Sequence, residues 1–247
     1  MPELAQKCIA SWKQYFPEYE VKEWNETNYD VHKIPYISEA YTAKRYAFVS
    51  DYVRFDILYQ YGGIYFDTDV EVIKPFDDIL SQGGFMGMES VGGVAAGLGI
   101  GCNAGLGIVY QILQLYAVLH FLNSDGTYNL HTVVEYVTKI LKNNGLKNEN
   151  TVQCLDGLII YPPEYFAPKS AVTGDLYITK NTHSIHHYDA SWVPESERKY
   201  YNMKRKLCRL MGQRIGTILA FPCFLVLNIR TSGIKVGLKK VLNKITG

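Results

Sequence analysis

Two aspartates separated by one residue, Asp67 and Asp69, stand directly after the apolar run Ile64-Tyr65-Phe66. On an extended segment, side chains at i and i+2 share a face. Two carboxylates side by side repel unless a cation lies between them, so the pair suits a hard divalent ion. A diphosphate would supply further oxygens, and the ion would stabilise charge growing on a departing diphosphate. The bland alternative is two solvated turn aspartates. Upstream, Asp51 and Arg54 lie one helical step apart between Ala47 and Leu58. A charged pair in an apolar stripe is either an i,i+3 ion pair or a polar grip on a ligand. A third cluster holds His183, His186, His187, Asp189, Ser191 and Trp192. Histidine can complete a metal shell and an indole N–H can reach a phosphate, although surface histidines beside a core tryptophan would read the same way.

Elements able to position these groups follow from periodicity and punctuation. Leu4, Cys8, Trp12 and Tyr15 recur at helical spacing after Pro2. Residues 19–24 read as a short strand. A long helix is expected over 38–61, with Ser38 as N-cap and Gly62-Gly63 ending it. Val70, Val72 and Ile73 continue an extended segment, Pro75 opens a short helix, and 84–88 looks like a strand. The glycine-dense stretch 92–107 reads as a loop close to something. Helical patterns cover about 106–122 and 129–144. Leu158-Ile159-Ile160-Tyr161 is a buried strand stopped by Pro162-Pro163, and a last strand lies near 184–188. Short apolar strands alternating with helices argue an α/β fold.

Length and charge narrow the class. The 247 residues suffice for one full α/β domain carrying a tail. Residues 198–247 contain twelve Lys and Arg and no Asp or Glu, which leaves 13 of the 25 basic side chains among all 24 acidic ones, a balance of −11. An acidic body is unlike a nucleic-acid binder, whereas a basic tail can sit against anionic lipid. Within that tail, residues 215–229 carry no charge between Arg214 and Arg230. A spanning helix needs about 20 apolar residues, and Pro222 and Asn228 interrupt this one, so an interfacial anchor at a membrane surface is expected, against a buried core helix with basic flanks. The division expected is therefore 1–197 for the catalytic domain and 198–247 for a basic amphipathic tail. Five scattered cysteines without a CxxC pair indicate neither a disulfide framework nor a zinc site. With no signal-peptide pattern at the start, a cytoplasmic location is expected, at the inner face of the plasma membrane.

Taken in order, the run from Ser50 to Asp56, the run from Tyr61 to Asp69, the segment Ile160-Tyr161-Pro162-Pro163-Glu164-Tyr165-Phe166 and the segment from His186 to Trp192 resemble glycosyltransferase family 32. The likeness extends over roughly residues 3–195. It implies a GT-A-like mixed sheet flanked by helices and a retaining, metal-dependent transfer of a hexose-type sugar. The donor would be a UDP- or GDP-sugar, the cofactor Mn²⁺ or Mg²⁺, and the acceptor a glycan or lipid-linked sugar in surface polysaccharide synthesis by a bacterium. By match to the family pattern, Asp69 is the main metal ligand with Asp67 beside it. His187 takes the C-terminal metal position, with His186 a close rival. Asp51 and Arg54 hold the donor sugar, Tyr65 lies near the nucleotide, and Ser191 and Trp192 meet the diphosphate; Asp67, Asp69 and Arg54 form the catalytic set. Because a metal-bound diphosphate leaves without a proton, no acid and no covalent nucleophile is required. Family members open with an apolar strand that lines the nucleotide pocket, and this sequence shows none ahead of Leu4. That difference keeps open a catalytically impaired sugar-nucleotide or glycan binding protein. A haloacid-dehalogenase-type phosphatase also uses Asp-x-Asp after a strand, but it places Thr or Val where Glu71 stands here.

Overall fold

The computed structural model describes residues 1–189, 193 and 195–232, with side chains through residue 227. It divides into two compact units, residues 1–168 with 178–187 and residues 169–177 with the described part of 188–247.

In the first unit, helix α1 (Glu3–Tyr15) is followed by coil rather than by a strand at 19–24. Tyr19 and Val21 are exposed there, and only Trp24 turns inward, against Tyr61, so the segment lacks the alternating buried face of a strand. The long helix expected over 38–61 is two helices, α2 (Pro35–Thr42) and α3 (Tyr46–Tyr61). Pro35 starts the first one three residues before Ser38. Lys44 ends it in the left-handed region at φ 56°. The Lys44 and Arg45 amides return to the carbonyls of Tyr41 and Ala40 at 2.9 and 2.8 Å, which is a Schellman termination. Glycine usually takes that position, and a lysine there gives no signal in sequence. Gly62, by contrast, closes α3 at φ 66° as expected.

Strands β1 (Gly63–Tyr65), β2 (Val70–Val72), β3 (Gly84–Ser90), β4 (Gly93–Cys102), β5 (Gln153–Leu155), β6 (Leu158–Tyr161) and β7 (Ser184–His186) build two sheets. The larger has the order β1-β4-β3-β6-β5, with β3 and β6 parallel and the other neighbours antiparallel. The smaller pairs β2 with β7. Helices α4 (Asp77–Leu80), α5 (Gly107–Ala117), α6 (Val133–Asn143) and α7 (Pro163–Phe166) complete this unit. Two apolar clusters contain Phe55, Ile100 and Tyr116 in one and Phe76, Phe85 and Phe166 in the other. This is the mixed sheet flanked by helices that a GT-A-like fold requires.

The largest departure from expectation is β4. Its glycine-dense sequence reads as a loop, yet it is a ten-residue strand, buried almost throughout, between β1 and β3. Glycine here mainly makes room, and at Gly99, with φ 140°, it also supplies conformational freedom. A Cβ at Gly97, Gly99 or Gly101 would overlap the side chains of Asp67, Phe66 and Phe85 respectively. β4 also bulges: its pairing with β3 jumps from Ile100 to Ala95 while β3 advances from Met86 to Gly87. The bulge takes residues 96–99 off the ladder and turns them toward the end of β1.

The second unit contains α8 (Glu195–Met211) and α9 (Gln213–Ser232), joined at Gly212 with φ 81°. No helix among the described residues is long and apolar enough to cross a membrane.

Candidate metal and donor site

The chain leaves β1 at Tyr65, and Asp67-Thr68-Asp69-Val70 then forms a tight turn closed by the Val70 amide on the Asp67 carbonyl at 2.9 Å. The two aspartates are therefore on a turn, not on one face of an extended strand. Their convergence comes from the turn and its anchors. The Asp67 amide donates to the Gly97 carbonyl at 3.1 Å, which the β4 bulge has freed for it. On the far side of the turn, β2 pairs with β7 and sets Val70 opposite His186. The His187 amide donates to the Asp69 carbonyl at 3.0 Å. Helix α1 covers the other edge of β2: the Trp12 indole donates to the Val70 carbonyl at 2.8 Å, and the Ser11 hydroxyl accepts from the Val72 amide at 2.9 Å.

These constraints bring Asp67, Asp69 and His186 together, with one ligand atom from each within 4.8 Å of the others. His186 Nε2 lies 3.1 Å from Asp69 Oδ1. His187, the first expectation for the metal position, points elsewhere because adjacent strand residues face opposite sides. Its Nε2 meets Glu71 Oε2 at 2.9 Å, and Lys7 reaches the same oxygen at 2.8 Å. Burial alone would raise the Glu71 pKa, but the bonds from Lys7 and His187 outweigh it and hold the carboxyl below its ordinary value.

Behind the turn, α3 delivers Arg54 and Asp51, both buried. The guanidinium donates from Nε to the Ser50 carbonyl at 2.9 Å, and from Nη2 to the Ser50 hydroxyl at 3.2 Å and to Asp51 Oδ1 at 3.0 Å. It also lies over the Tyr65 ring, 4.7 Å from its centroid. Nη1 approaches Asp67 Oδ1 to 3.3 Å as an ion pair but is too poorly aligned to hydrogen-bond it. Tyr65 Oη donates to that same oxygen at 2.8 Å. Arg54 therefore makes the i,i+3 ion pair and reaches the turn as well. Burial opposes its charge, but the Tyr65 oxygen and the carboxylates of Asp67 and Asp51 keep it protonated. Burial also pushes the Asp51 carboxyl up to about 6; Arg54 resists that rise and the Asp67 charge adds to it.

Several contributors carry no signal in sequence. Gly97 gives the turn both a carbonyl and an empty space. Glu89, at the end of β3, is close enough to His186 to feel its charge; crowding around its carboxyl raises its pKa and His186 draws it down. Tyr36 and Tyr116 are fully buried near Asp51, and their hydroxyls have no hydrogen-bond partner among the described residues. Of the residues expected at the diphosphate, Ser191 and Trp192 lie outside the described residues.

A family model, that of the glycosyltransferase sugar-binding region containing the DXD motif, matches residues 2–86. The match takes in α1, Asp51, Arg54, Tyr65 and both turn aspartates, and it stops before β7 and His186. It supports glycosyltransferase activity in general, with binding of a nucleotide sugar. No curated protein and no solved structure matches the chain.

Proposed function

We propose that this protein is a retaining, metal-dependent hexosyltransferase that takes its sugar from a UDP- or GDP-sugar and passes it to a glycan or lipid-linked acceptor in surface polysaccharide synthesis. The observation that carries the reading is the meeting of Asp67, Asp69 and His186 directly in front of the buried Asp51–Arg54 pair. Two carboxylates and an imidazole form a hard-to-borderline donor set that suits Mn²⁺ and accepts Mg²⁺. When bound, such an ion supplies positive charge for a departing diphosphate.

The chain's own groups divide the remaining work. Asp69 and His186 each offer a ligand atom. Asp67 is steadied by Tyr65 and Arg54 at one oxygen, so its carboxylate is oriented before any donor arrives. Arg54 balances the charge that two neighbouring aspartates would otherwise leave uncompensated. Asp51 spends one oxygen on Arg54, and its second is free to accept hydroxyl protons from the donor sugar. The hydroxyls of Tyr36 and Tyr116, without a partner among the described residues, lie within electrostatic reach of Asp51, where buried polar groups need a partner to offset their desolvation. We further propose that the chain works at the inner face of the plasma membrane.

The test is nucleotide release from a panel of sugar nucleotides with and without Mn²⁺, repeated on Asp69→Ala. Metal-dependent release by the native chain and its loss in the variant are expected. Donor binding without metal-dependent release in either form would show a binding protein instead.

A further inference from the structure

Helix α9 turns the wrong residues to solvent for a helix that meets only water. Its inner stripe is Gly216, Ala220 and Phe224, spaced four apart. Gly216 fits so closely that a Cβ there would overlap the backbone of Leu207 and Cys208 in α8. Ala220 is fully buried, and Phe224 packs on Tyr200 with ring centroids 5.5 Å apart. The opposite side carries Ile215, Ile218, Leu219, Pro222 and Val226, which recur at helical spacing along one face. Ile215 is 51% exposed, Ile218 69%, Leu219 47% and Val226 49%. Leu210 and Met211, at the end of α8 beside the Gly212 turn, are exposed too. This is a contiguous apolar stripe that packing on α8 leaves uncovered, and such patches mark interaction surfaces.

Charge selects the occupant. From residue 198 onward the chain carries twelve basic side chains and no acidic one. Arg214 stands immediately before Ile215, and Lys206 is exposed on α8. A second copy docked through the same face would bring two such segments together and repel. An anionic bilayer supplies both complements, an apolar interior for the stripe and negative headgroups for its flanks. The geometry points to α9 as an interfacial helix that lies along an anionic membrane with Ile215, Ile218, Leu219 and Val226 inserted and Arg214 at the headgroups. Among the described residues no helix is long and apolar enough to cross a membrane, so the proposal places α9 in the interface plane. This surface stands independently of the sugar-transfer reading, so neither falls with the other.

The full chain is sedimented with vesicles of phosphatidylcholine alone and of phosphatidylcholine with phosphatidylglycerol. Enrichment on the anionic vesicles is expected, weakening as salt is raised. The double variant Ile218→Ser, Leu219→Ser leaves the inner stripe intact, which circular dichroism checks, and lowers partitioning by on the order of tenfold or more. Arg214→Glu weakens binding on anionic vesicles and leaves the neutral ones unchanged. Equal sedimentation with both vesicle types, or undiminished binding by a folded double variant, overturns the assignment. So does a concentration-dependent dimer in light scattering that the double variant abolishes while vesicle binding is absent throughout. In that case the face joins copies of the chain.

Discussion

Gly97→Ala adds one methyl group in a buried strand, and the structure says where that methyl goes. Gly97 has no positive φ, so alanine meets no backbone penalty. The new Cβ instead overlaps the Asp67 carboxylate. Backbone retreat is blocked, because the Asp67 amide is bonded to the Gly97 carbonyl itself at 3.1 Å and the Val70 amide closes the turn at 2.9 Å. The side chain must rotate, and rotation breaks the 2.8 Å bond from Tyr65 and the 3.3 Å approach of Arg54. Losing one charge-assisted hydrogen bond costs about 1–3 kcal/mol. At about 2–4 °C per kcal/mol for a chain of this size, the melting temperature should fall by several degrees. Activity suffers more, since misplacing a positioned group by about 1 Å can cost roughly 10²-fold. The assay is kcat/KM for nucleotide release together with a Mn²⁺ titration. Gly101→Ala serves as the control: its Cβ presses on Phe85, away from the turn, so it should lower stability and leave metal affinity intact. A Gly97→Ala enzyme with native metal affinity and kcat/KM within about twofold of the native value would refute the reasoning, because a displaced Asp67 carboxylate should cost far more than that.

The two adjacent histidines should separate cleanly. His186→Ala should weaken Mn²⁺ binding by roughly tenfold or more, whereas His187→Ala should spare the metal and destabilise by about 1 kcal/mol through the lost Glu71 contact; reversed outcomes in titration and thermal melts would move the ligand to His187. Asp51 gives a pH signature. Its carboxyl is pushed up to about 6 from 3.8, so between those values the native state holds a proton the unfolded chain has released, and stability falls as pH rises through that window. The size is on the order of 2–3 kcal/mol. Asp51→Asn should remove that slope, and the same pH dependence of unfolding in both proteins would show that Asp51 is not its source.

The candidate site residues could be proposed from sequence because their types and order are local properties. Asp67, Asp69, Asp51 and Arg54 announce themselves by spacing, and Gly62 ends α3 where a left-handed residue is needed. Helices α5 and α6 and strand β6 follow from apolar periodicity and proline for the same reason. Tertiary structure decided how these pieces meet. Glycines in β4 look like a loop because composition reports conformational freedom, while their use here is to admit Asp67, Phe66 and Phe85 from other elements. That His186 rather than His187 lies beside Asp67 and Asp69 follows from the register of β7 on β2, since a shift of one residue reverses which side chain faces the turn. The break at Lys44 needed the hydrogen bonds of a Schellman turn that no glycine advertises. Spacing along one chain encodes which groups are neighbours on an element. Long-range pairing and close packing alone determine which elements bring them to a common point.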